Sequence, residues 1–181
     1  MIIDTHAHFT PQAMLASLKS EANQFPNVEL LHQDDSYQLV FAGLSPTRPL
    51  SPKLRETEQR LTWMDEQSID QQIVGGWLDS FGYELSGEEG EAWSRFLNEF
   101  QMSGTDNNSR LTPLATVPLQ DGKRAAKVLE EALAGGFKGT MIGTQPKGSQ
   151  GNLDDPDLDP FWEAANSLGA TIYLHPMFGC G

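Results

Sequence analysis

Cysteine and long apolar runs are both scarce in this chain. A single cysteine, Cys180, occurs among 181 residues, which excludes an intrachain disulfide framework and is typical of a reducing compartment. No apolar run approaches the length of a membrane span, and the amino terminus lacks the basic and apolar regions of a secretion signal. We therefore expect a soluble, cytoplasmic protein without a membrane partner, in which the nearly terminal Cys180 has no reactive role.

Basic residues are also few. Twelve lysines and arginines stand against 25 aspartates and glutamates, so the formal net charge is −13. Nucleic acids and anionic membranes bind clustered lysine and arginine, and the composition therefore argues against both partners. A small anionic substrate remains compatible with this charge, because its binding site can be locally positive. The length is that of roughly one domain.

Two nucleotide-binding signatures are absent as well. No Gly-x-Gly-x-x-Gly follows the first apolar segment, and no Gly-Lys-Ser/Thr loop occurs. The chain instead alternates helical periodicity with short apolar segments. Helices are predicted at residues 11–20, 53–67, 88–101, 121–133 and 156–168, and strands at 1–5, 72–78, 111–119, 137–143 and 170–175. This alternation predicts an α/β fold with a parallel sheet and right-handed crossovers.

An insertion interrupts the alternation near its start. Residues 28–43 contain two short apolar runs separated by a polar turn, which predicts a β-hairpin with His32 at the surface. Residues 45–52 carry three prolines, so they form no regular element and hold Arg48 on a stiff loop. We place the whole insertion at about residues 20–50.

The five predicted strands suit the beginning of a closed barrel better than a complete open sheet. The first strand follows no helix and leads directly to polar residues with ligand chemistry. Five strands are enough for a doubly wound sheet. An eight-stranded barrel of which only these five strands were present would be open at both edges. We interpret residues 1–181 as a single incomplete domain, the first five β/α units of a TIM-barrel (β/α)8.

Three histidines are candidate metal ligands. His6 and His8 follow the first strand two residues apart, so their side chains point to the same side. His175 ends the last strand, and Pro176 stops that strand, which places this imidazole at the same end of a parallel sheet. A His-x-His pair often occurs by chance, so the prediction of a metal site depends on all three histidines. Three imidazoles suit one divalent ion, zinc first and then manganese, iron or cobalt.

Several short segments together carry a resemblance to a known family. They are Asp4-Thr5-His6-Ala7-His8-Phe9, Thr47-Arg48-Pro49, Met64-Asp65, Phe81-Gly82-Tyr83, Val117-Pro118-Leu119-Gln120-Asp121 and Leu174-His175-Pro176. In this order and spacing the chain resembles the amidohydrolase superfamily, and within it the aminocarboxymuconate-semialdehyde decarboxylase-like family. This resemblance implies that the TIM barrel is of the metal-dependent hydrolase type. His6 favours that branch, since related aromatic-acid decarboxylases often carry glutamate in its place.

The resemblance implies a set of ligands that this chain holds only in part. One metal ion would be bound by His6, His8, His175 and an aspartate from the eighth strand. A histidine on the sixth strand would be the catalytic acid/base. Both of those additional residues would lie beyond Gly181. A carbamylated lysine that bridges two metals has no candidate, because Lys138 is predicted at the opposite end of the barrel.

The resemblance also implies a substrate-binding role for Arg48, whose planar guanidinium can bind a carboxylate through two hydrogen bonds. Phe81 and Tyr83 would form a wall for a flat unsaturated substrate, or would only pack against their neighbours. Asp4 has the same parity as the histidines and could orient a ligand through a hydrogen bond. Asp79 is interpreted as an ordinary loop acid.

We therefore predict a metal-dependent decarboxylase, a carbon–carbon lyase, of a small unsaturated or aromatic carboxylic acid. Hydrolysis of a lactone or an amide at the same site is the first alternative. The second is a truncated relative that binds metal or a partner without turnover. The full-length protein would act on a small-molecule carboxylate and could form a homodimer, whereas the 181-residue segment alone would be inactive.

Overall fold

Helices and short strands alternate in the computed structural model, which describes residues 1–106, 108–147 and 151–177. The strands are β1 (Ile3–His8), β2 (Val28–Gln33), β3 (Ser36–Phe41), β4 (Gln71–Gly75), β5 (Leu111–Pro113), β6 (Gly139–Gly143) and β7 (Thr171–His175). The α-helices are α1 (Gln12–Ser20), α2 (Thr57–Glu66), α3 (Gly87–Thr105), α4 (Gly122–Ala134) and α5 (Asp159–Leu168). The predicted α/β alternation is confirmed, and Cys180 lies outside the described residues.

Parallel pairing connects all strands outside the insertion. One sheet has the order β1-β4-β5, and β6 pairs with β7. An isolated parallel bridge between Ala115 and Thr140 joins the two groups. Because the strands are parallel, their carboxyl ends lie at the same edge, where His8 ends β1 and His175 ends β7. Open α/β sheets bind ligands at this edge.

The largest differences from the predicted strand bounds are at the carboxyl ends of β1, β4 and β5. β1 continues through His8 instead of ending at residue 5, because its pairing with β4 extends to Gly75. β4 in turn ends at Gly75 rather than at residue 78, since a 3-10 turn starts at Leu78. β5 is three residues long. Its last residue, Pro113, has no N–H group to donate to a neighbouring strand.

β1 contains a bulge beside the histidines. Asp4 pairs with Gln72, and the next recorded pair is Ala7 with Val74, so three steps along β1 match two along β4. The backbone N–H of His6, inside this bulge, donates to Asp4 Oδ1 at 3.0 Å. A bulge bends its strand and changes the direction of its side chains. The local backbone of the His-x-His segment therefore departs from a regular strand.

The predicted hairpin is present. β2 and β3 pair antiparallel around a two-residue turn, in which Asp34 and Asp35 have φ values of 48° and 62°. Two left-handed residues are what a type I′ hairpin turn requires. Arg55 is buried and donates to both carboxylate oxygens of Asp35 at 3.0 Å, which ties the turn to the start of α2. His32 is exposed, as predicted, and stacks on Tyr37 with ring centroids 4.2 Å apart.

The core lies between the sheet and the helices. α4 begins after Asp121, whose side chain accepts from the N–H of Arg124 at 3.1 Å, and this helix start agrees with the prediction. The buried residues of α4, α5 and β6 that share one cluster are Ala125, Val128, Leu129, Phe161, Ala165, Met141 and Ile142. A second cluster joins α1, α3 and the hairpin around the fully buried Trp93. The hairpin is thus part of the packed structure.

Large apolar side chains are exposed on β1 and β7. Ile3 of β1 is 43% exposed and Leu174 of β7 is 53% exposed, and Trp63 on α2 is 45% exposed. Strands of parallel sheets are normally covered on both faces. Both outer strands, β1 and β7, therefore carry an exposed apolar side chain. None of the helices within the described ranges is long and apolar enough to cross a bilayer.

Candidate metal centre

The structure brings the three predicted histidines together. His6 and His8 come from the carboxyl half of β1, and His175 ends β7. Their ring centroids are 5.2 Å (His6–His8), 4.8 Å (His6–His175) and 5.0 Å (His8–His175) apart. One ligand atom from each residue lies within 4.8 Å of the others. Zinc–nitrogen bonds are about 2.1 Å long, so two nitrogens on one ion are at most about 4.2 Å apart, and the three rings would move closer together to bind it.

Hydrogen bonds to backbone carbonyls define the tautomers of two of these rings. His8 Nδ1 lies 2.9 Å from the Gly76 oxygen, and His175 Nδ1 lies 2.9 Å from the Pro176 oxygen. A carbonyl only accepts, so each Nδ1 carries the proton and donates it. The lone pair of each neutral ring is then on Nε2, the atom available to a metal ion. Such an outer hydrogen bond is the usual means of orienting a histidine ligand.

The environment of His8 favours its neutral form. Burial lowers the pKa of His8, and the positive charges that His175, His6 and Arg60 carry or can acquire lower it further. The hydrogen bond to Gly76 opposes these effects. Because a metal binds the deprotonated imidazole nitrogen, a lowered pKa leaves the ligand ready near neutral pH.

Asp4 acts on the backbone of the site and not on an imidazole ring. Its Oδ1 accepts from the His6 N–H at 3.0 Å, and its Oδ2 accepts from Gln72 Nε2 at 2.8 Å. Its predicted role in orienting a ligand stays a prediction, and the contact through which it would act is the bulged backbone at His6.

Sequence reasoning missed two buried polar residues behind the histidines. Arg60 of α2 donates through Nη1 to Gln72 Oε1 at 2.7 Å and through Nη2 to the His8 carbonyl. Both side chains are buried. A signal was present, since Arg60 precedes the buried Met64 by four residues and so shares the packed face of α2. A charged residue on the buried face of a helix indicates a specific buried partner, because charged side chains are seldom buried without one.

A cleft of about 490 Å³ opens beside β1 and α2. Its walls include the two histidines of β1 and the buried polar residues behind them. The lining residues that matter here are Asp4, His6, His8, Arg60, Gln72, Lys53 and Trp63.

Arg48 lines a different cleft, of about 300 Å³, together with Asp79 and Met177. It donates from Nε to Asp79 Oδ2 and from Nη2 to Asp79 Oδ1, both at 2.8 Å. Asp79, interpreted from the sequence as a loop acid, is therefore the partner of the predicted substrate arginine. Arg48 is not among the residues that line the cleft beside His6 and His8.

Phe81 and Tyr83 are packed in the core, with 1% and 3% of their surfaces exposed. The Tyr83 hydroxyl accepts from the Gly143 N–H at 3.2 Å, and burial raises the pKa of this hydroxyl. The structure thus places both rings as packing residues near the carboxyl end of β6, and their contact with substrate stays a prediction. Lys138 is exposed just before β6, at the end of that strand opposite His175.

Comparison with known proteins extends this description. A family model described as Amidohydrolase matches residues 3–179. The 2-amino-3-carboxymuconate-6-semialdehyde decarboxylase of Dictyostelium discoideum is 24% identical over 176 residues, which cover 96% of this chain and 48% of that protein. The Caenorhabditis elegans protein of the same name is 22% identical over 187 residues, 92% of this chain and 46% of that protein. The chain spans about half the length of the curated relatives that it matches.

Solved structures share the fold at low sequence identity. The 5-carboxyvanillate decarboxylase of Sphingomonas paucimobilis has a TM-score of 0.69 and 22% identity, with 97% of this chain and 51% of that chain covered. A dihydroxybenzoic acid decarboxylase of a Polaromonas species, solved with bound manganese and 2-nitroresorcinol, has a TM-score of 0.69 and 20% identity. That match covers 97% of this chain and 49% of that one. These likenesses establish an α/β fold shared over about half the length of each structure.

Proposed function

Because the chain belongs to the amidohydrolase family, we propose that it forms part of a metal-dependent decarboxylase of a small unsaturated or aromatic carboxylic acid. The observation that carries this proposal is the convergence of His6, His8 and His175 in a chain whose curated relatives are decarboxylases. Those relatives also favour decarboxylation over hydrolysis of a lactone or amide at the same site.

His6, His8 and His175 would hold the divalent ion. The donor set fits such an ion, because two rings donate Nδ1–H to carbonyls and leave Nε2 unprotonated. When bound, the ion would supply a Lewis acid that binds oxygen atoms of the substrate. A set of three imidazoles suits zinc, and the manganese in the Polaromonas relative makes manganese the second candidate.

We further propose that residues 1–181 are the first five β/α units of a (β/α)8 barrel, as one incomplete domain with an insertion at about residues 20–50. Two observations support this. The chain spans about half of its relatives, and exposed apolar residues lie on β1 and β7, where additional strands would pair. The remaining strands would supply an aspartate ligand and the histidine acid/base.

Arg48 would bind a carboxylate of the substrate. Its fork with Asp79 already orients the guanidinium plane, so a carboxylate can share or replace that partner. The carbon–carbon bond to the departing carboxylate breaks, CO₂ leaves, and the electron pair stays on the unsaturated substrate. The acid/base from the rest of the protein then protonates that carbon.

The test uses the proposed full-length protein that contains residues 1–181, called the parent protein below, with its own metal. CO₂ release is measured for a panel of unsaturated and aromatic carboxylic acids that includes 2-amino-3-carboxymuconate-6-semialdehyde, with the His6→Ala, His8→Ala protein as control. Metal-dependent CO₂ release supports the proposal. Hydrolysis of lactones or amides without CO₂ release would instead support the hydrolase, and bound metal without either activity would support a non-catalytic relative.

A further inference from the structure

A buried guanidinium lies behind the His-x-His segment. Arg60 is 7% exposed, although it carries a full positive charge. Its Nη2 donates to the His8 carbonyl, and its Nη1 donates to Gln72 Oε1 at 2.7 Å. The third nitrogen, Nε, is buried and has no hydrogen-bond partner among the described residues.

The chain of hydrogen bonds continues to His6, the other histidine of β1. Gln72 Nε2 donates to Asp4 Oδ2 at 2.8 Å, and Asp4 Oδ1 accepts from the His6 N–H at 3.0 Å. We call Arg60, Gln72 and Asp4 the arginine relay. One end of the relay contacts the backbone of His8, and the other contacts the backbone of His6, inside the bulge of β1.

Arg60 attaches α2 to β1, but the burial of its charge costs free energy. A buried charge is costly unless it is well paired, and the direct partners of this guanidinium are two neutral oxygens. The carboxylate of Asp4 is reached only through Gln72, and the Phe9 ring, 5.2 Å from the guanidinium carbon, adds a cation–π contact. An apolar side chain of similar volume would attach the helix at lower cost. Stability alone therefore does not explain an arginine at this position.

We propose that Arg60 is a positioning residue of the metal centre, which holds His6 and His8 in their ligand conformation through the arginine relay. The inference rests on the proposed metal site. A bulged strand lacks part of the regular ladder that would otherwise fix its backbone. The relay supplies one hydrogen bond inside this gap, at His6, and another just after it, at His8. Loss of a hydrogen bond that orients a ligand side chain typically weakens metal binding about 10- to 100-fold, and we expect the same scale for the relay, which acts through the ligands' backbone.

A purely structural arginine provides the matched control. Arg110 donates through Nη1 to Asp65 Oδ1 at 2.6 Å and through Nη2 to the Ile69 carbonyl at 2.7 Å. Like Arg60, it therefore attaches α2 to the sheet through one side-chain oxygen and one backbone carbonyl, although its side-chain partner is a carboxylate. Its contacts lie at the amino-terminal side of β4, away from the histidines.

The first experiment compares Arg60→Met with Arg110→Met in the parent protein. Cobalt(II) is titrated into the metal-free protein, and the Kd and the visible absorption spectrum of the bound ion are recorded beside the melting temperature. We expect Arg60→Met to raise the Kd about 10- to 100-fold and to change the spectrum. We expect Arg110→Met to lower the melting temperature with the Kd and the spectrum unchanged.

A double-mutant cycle tests the relay without removing the arginine. Asp4→Asn alone brings an amide N–H donor against another donor, and Gln72→Glu alone brings two carboxylates against each other. Each single substitution should therefore weaken cobalt binding. Combined, the new asparagine amide can donate to the new glutamate, which still accepts from Arg60, and the total charge is unchanged. The double variant should therefore recover most of the lost affinity, which shows as an interaction energy between the two positions.

The outcomes separate the inference from the proposed function. A wild-type protein that binds cobalt, together with an Arg60→Met protein of equal Kd and spectrum, would overturn the positioning role and leave the metal site intact. A double variant no better than its weaker single variant would also overturn the relay. A wild-type protein that binds no cobalt would remove the proposed metal site and, with it, the inference.

Discussion

Arg48 and Asp79, 31 residues apart in the chain, form a planar two-bond fork with both N···O distances at 2.8 Å. The Asp79 side chain is 15% exposed and that of Arg48 is 51% exposed, so the carboxylate is the more fixed partner. The hydrogen bond from Arg48 to Asp79 raises the pKa of the guanidinium. The arginine therefore stays charged and oriented, while about half of its side-chain surface is exposed.

If Arg48 binds a substrate carboxylate, replacing it by lysine should be nearly as harmful as replacing it by alanine. An ammonium group cannot form the two parallel bonds that the guanidinium forms. We expect kcat/KM for Arg48→Lys and Arg48→Ala to fall by an amount equivalent to roughly 2–3 kcal/mol, the scale of a charged hydrogen bond. Steady-state kinetics of the parent protein measure this.

The control for Arg48 is a second arginine in the same geometry. Arg95 forms a fork with Glu131, with bonds of 2.7 Å and 3.0 Å between α3 and α4. Arg95→Ala should leave KM unchanged, because neither Arg95 nor Glu131 lines either cleft. An Arg48→Ala enzyme with wild-type kinetics would remove Arg48 from the substrate site.

Metal content should depend on the His-x-His pair. Protein purified without added metal should contain close to one equivalent of a divalent ion per complete chain by elemental analysis, and we expect zinc. The variant with His6→Ala and His8→Ala should contain almost none, because His175 and the proposed aspartate ligand are too few to retain the ion. His32→Ala, at the exposed hairpin, should keep the full amount. Retention of metal by the double variant would show that the ligand assignment is wrong.

Glu91 should make the stability of the fold pH-dependent. It is 5% exposed and contacts Lys127, Arg124 and Arg95. Its hydrogen bond from Lys127 is the largest cause that lowers the pKa of Glu91 to about 2. A carboxylate whose pKa is lower in the folded state stabilises the fold at pH values above its unfolded pKa of about 4.3. This contribution is lost as the pH falls towards 2.

The measurement compares Glu91→Gln with wild type by urea unfolding between pH 7 and pH 3. At pH 7 we expect the variant to be less stable by at most about 3 kcal/mol, with the difference shrinking below about pH 4. Glu131→Gln is the control, because that carboxylate is 46% exposed and its loss should cost under about 1 kcal/mol. A difference for Glu91→Gln that is constant with pH would contradict the assignment.

The isolated 181-residue segment should not be a working enzyme. Ile3 and Leu174 leave apolar surface on β1 and β7, so we expect oligomers or poor solubility and weak metal binding from the segment. Light scattering and turnover assays beside the longer parent protein test this. Equal turnover from both would mean that the described strands form a complete open sheet with its own catalytic residues.

Local sequence patterns were sufficient for much of the fold. The alternation of apolar segments with helical stripes predicted the parallel α/β arrangement, and the polar turn at Asp34 and Asp35 predicted the hairpin. The motifs around His6 and His175 carried the resemblance to amidohydrolases, which the family match and the curated relatives confirm. These features depend on residues that are close in the chain or on a short motif at a strand end.

The bulge in β1, the arginine relay and the fork between Arg48 and Asp79 were decided only by tertiary structure. Each depends on contacts between residues far apart in sequence, such as the 52 positions between Arg60 and His8. Hydrophobic periodicity describes one element at a time, so it places Arg60 on a face of α2 but does not identify the carbonyl that this face meets. The sequence alone determined which groups could form a site. The packing of α2 against β1, and of the loop after β3 against Asp79, determined which of those groups are hydrogen-bonded to each other.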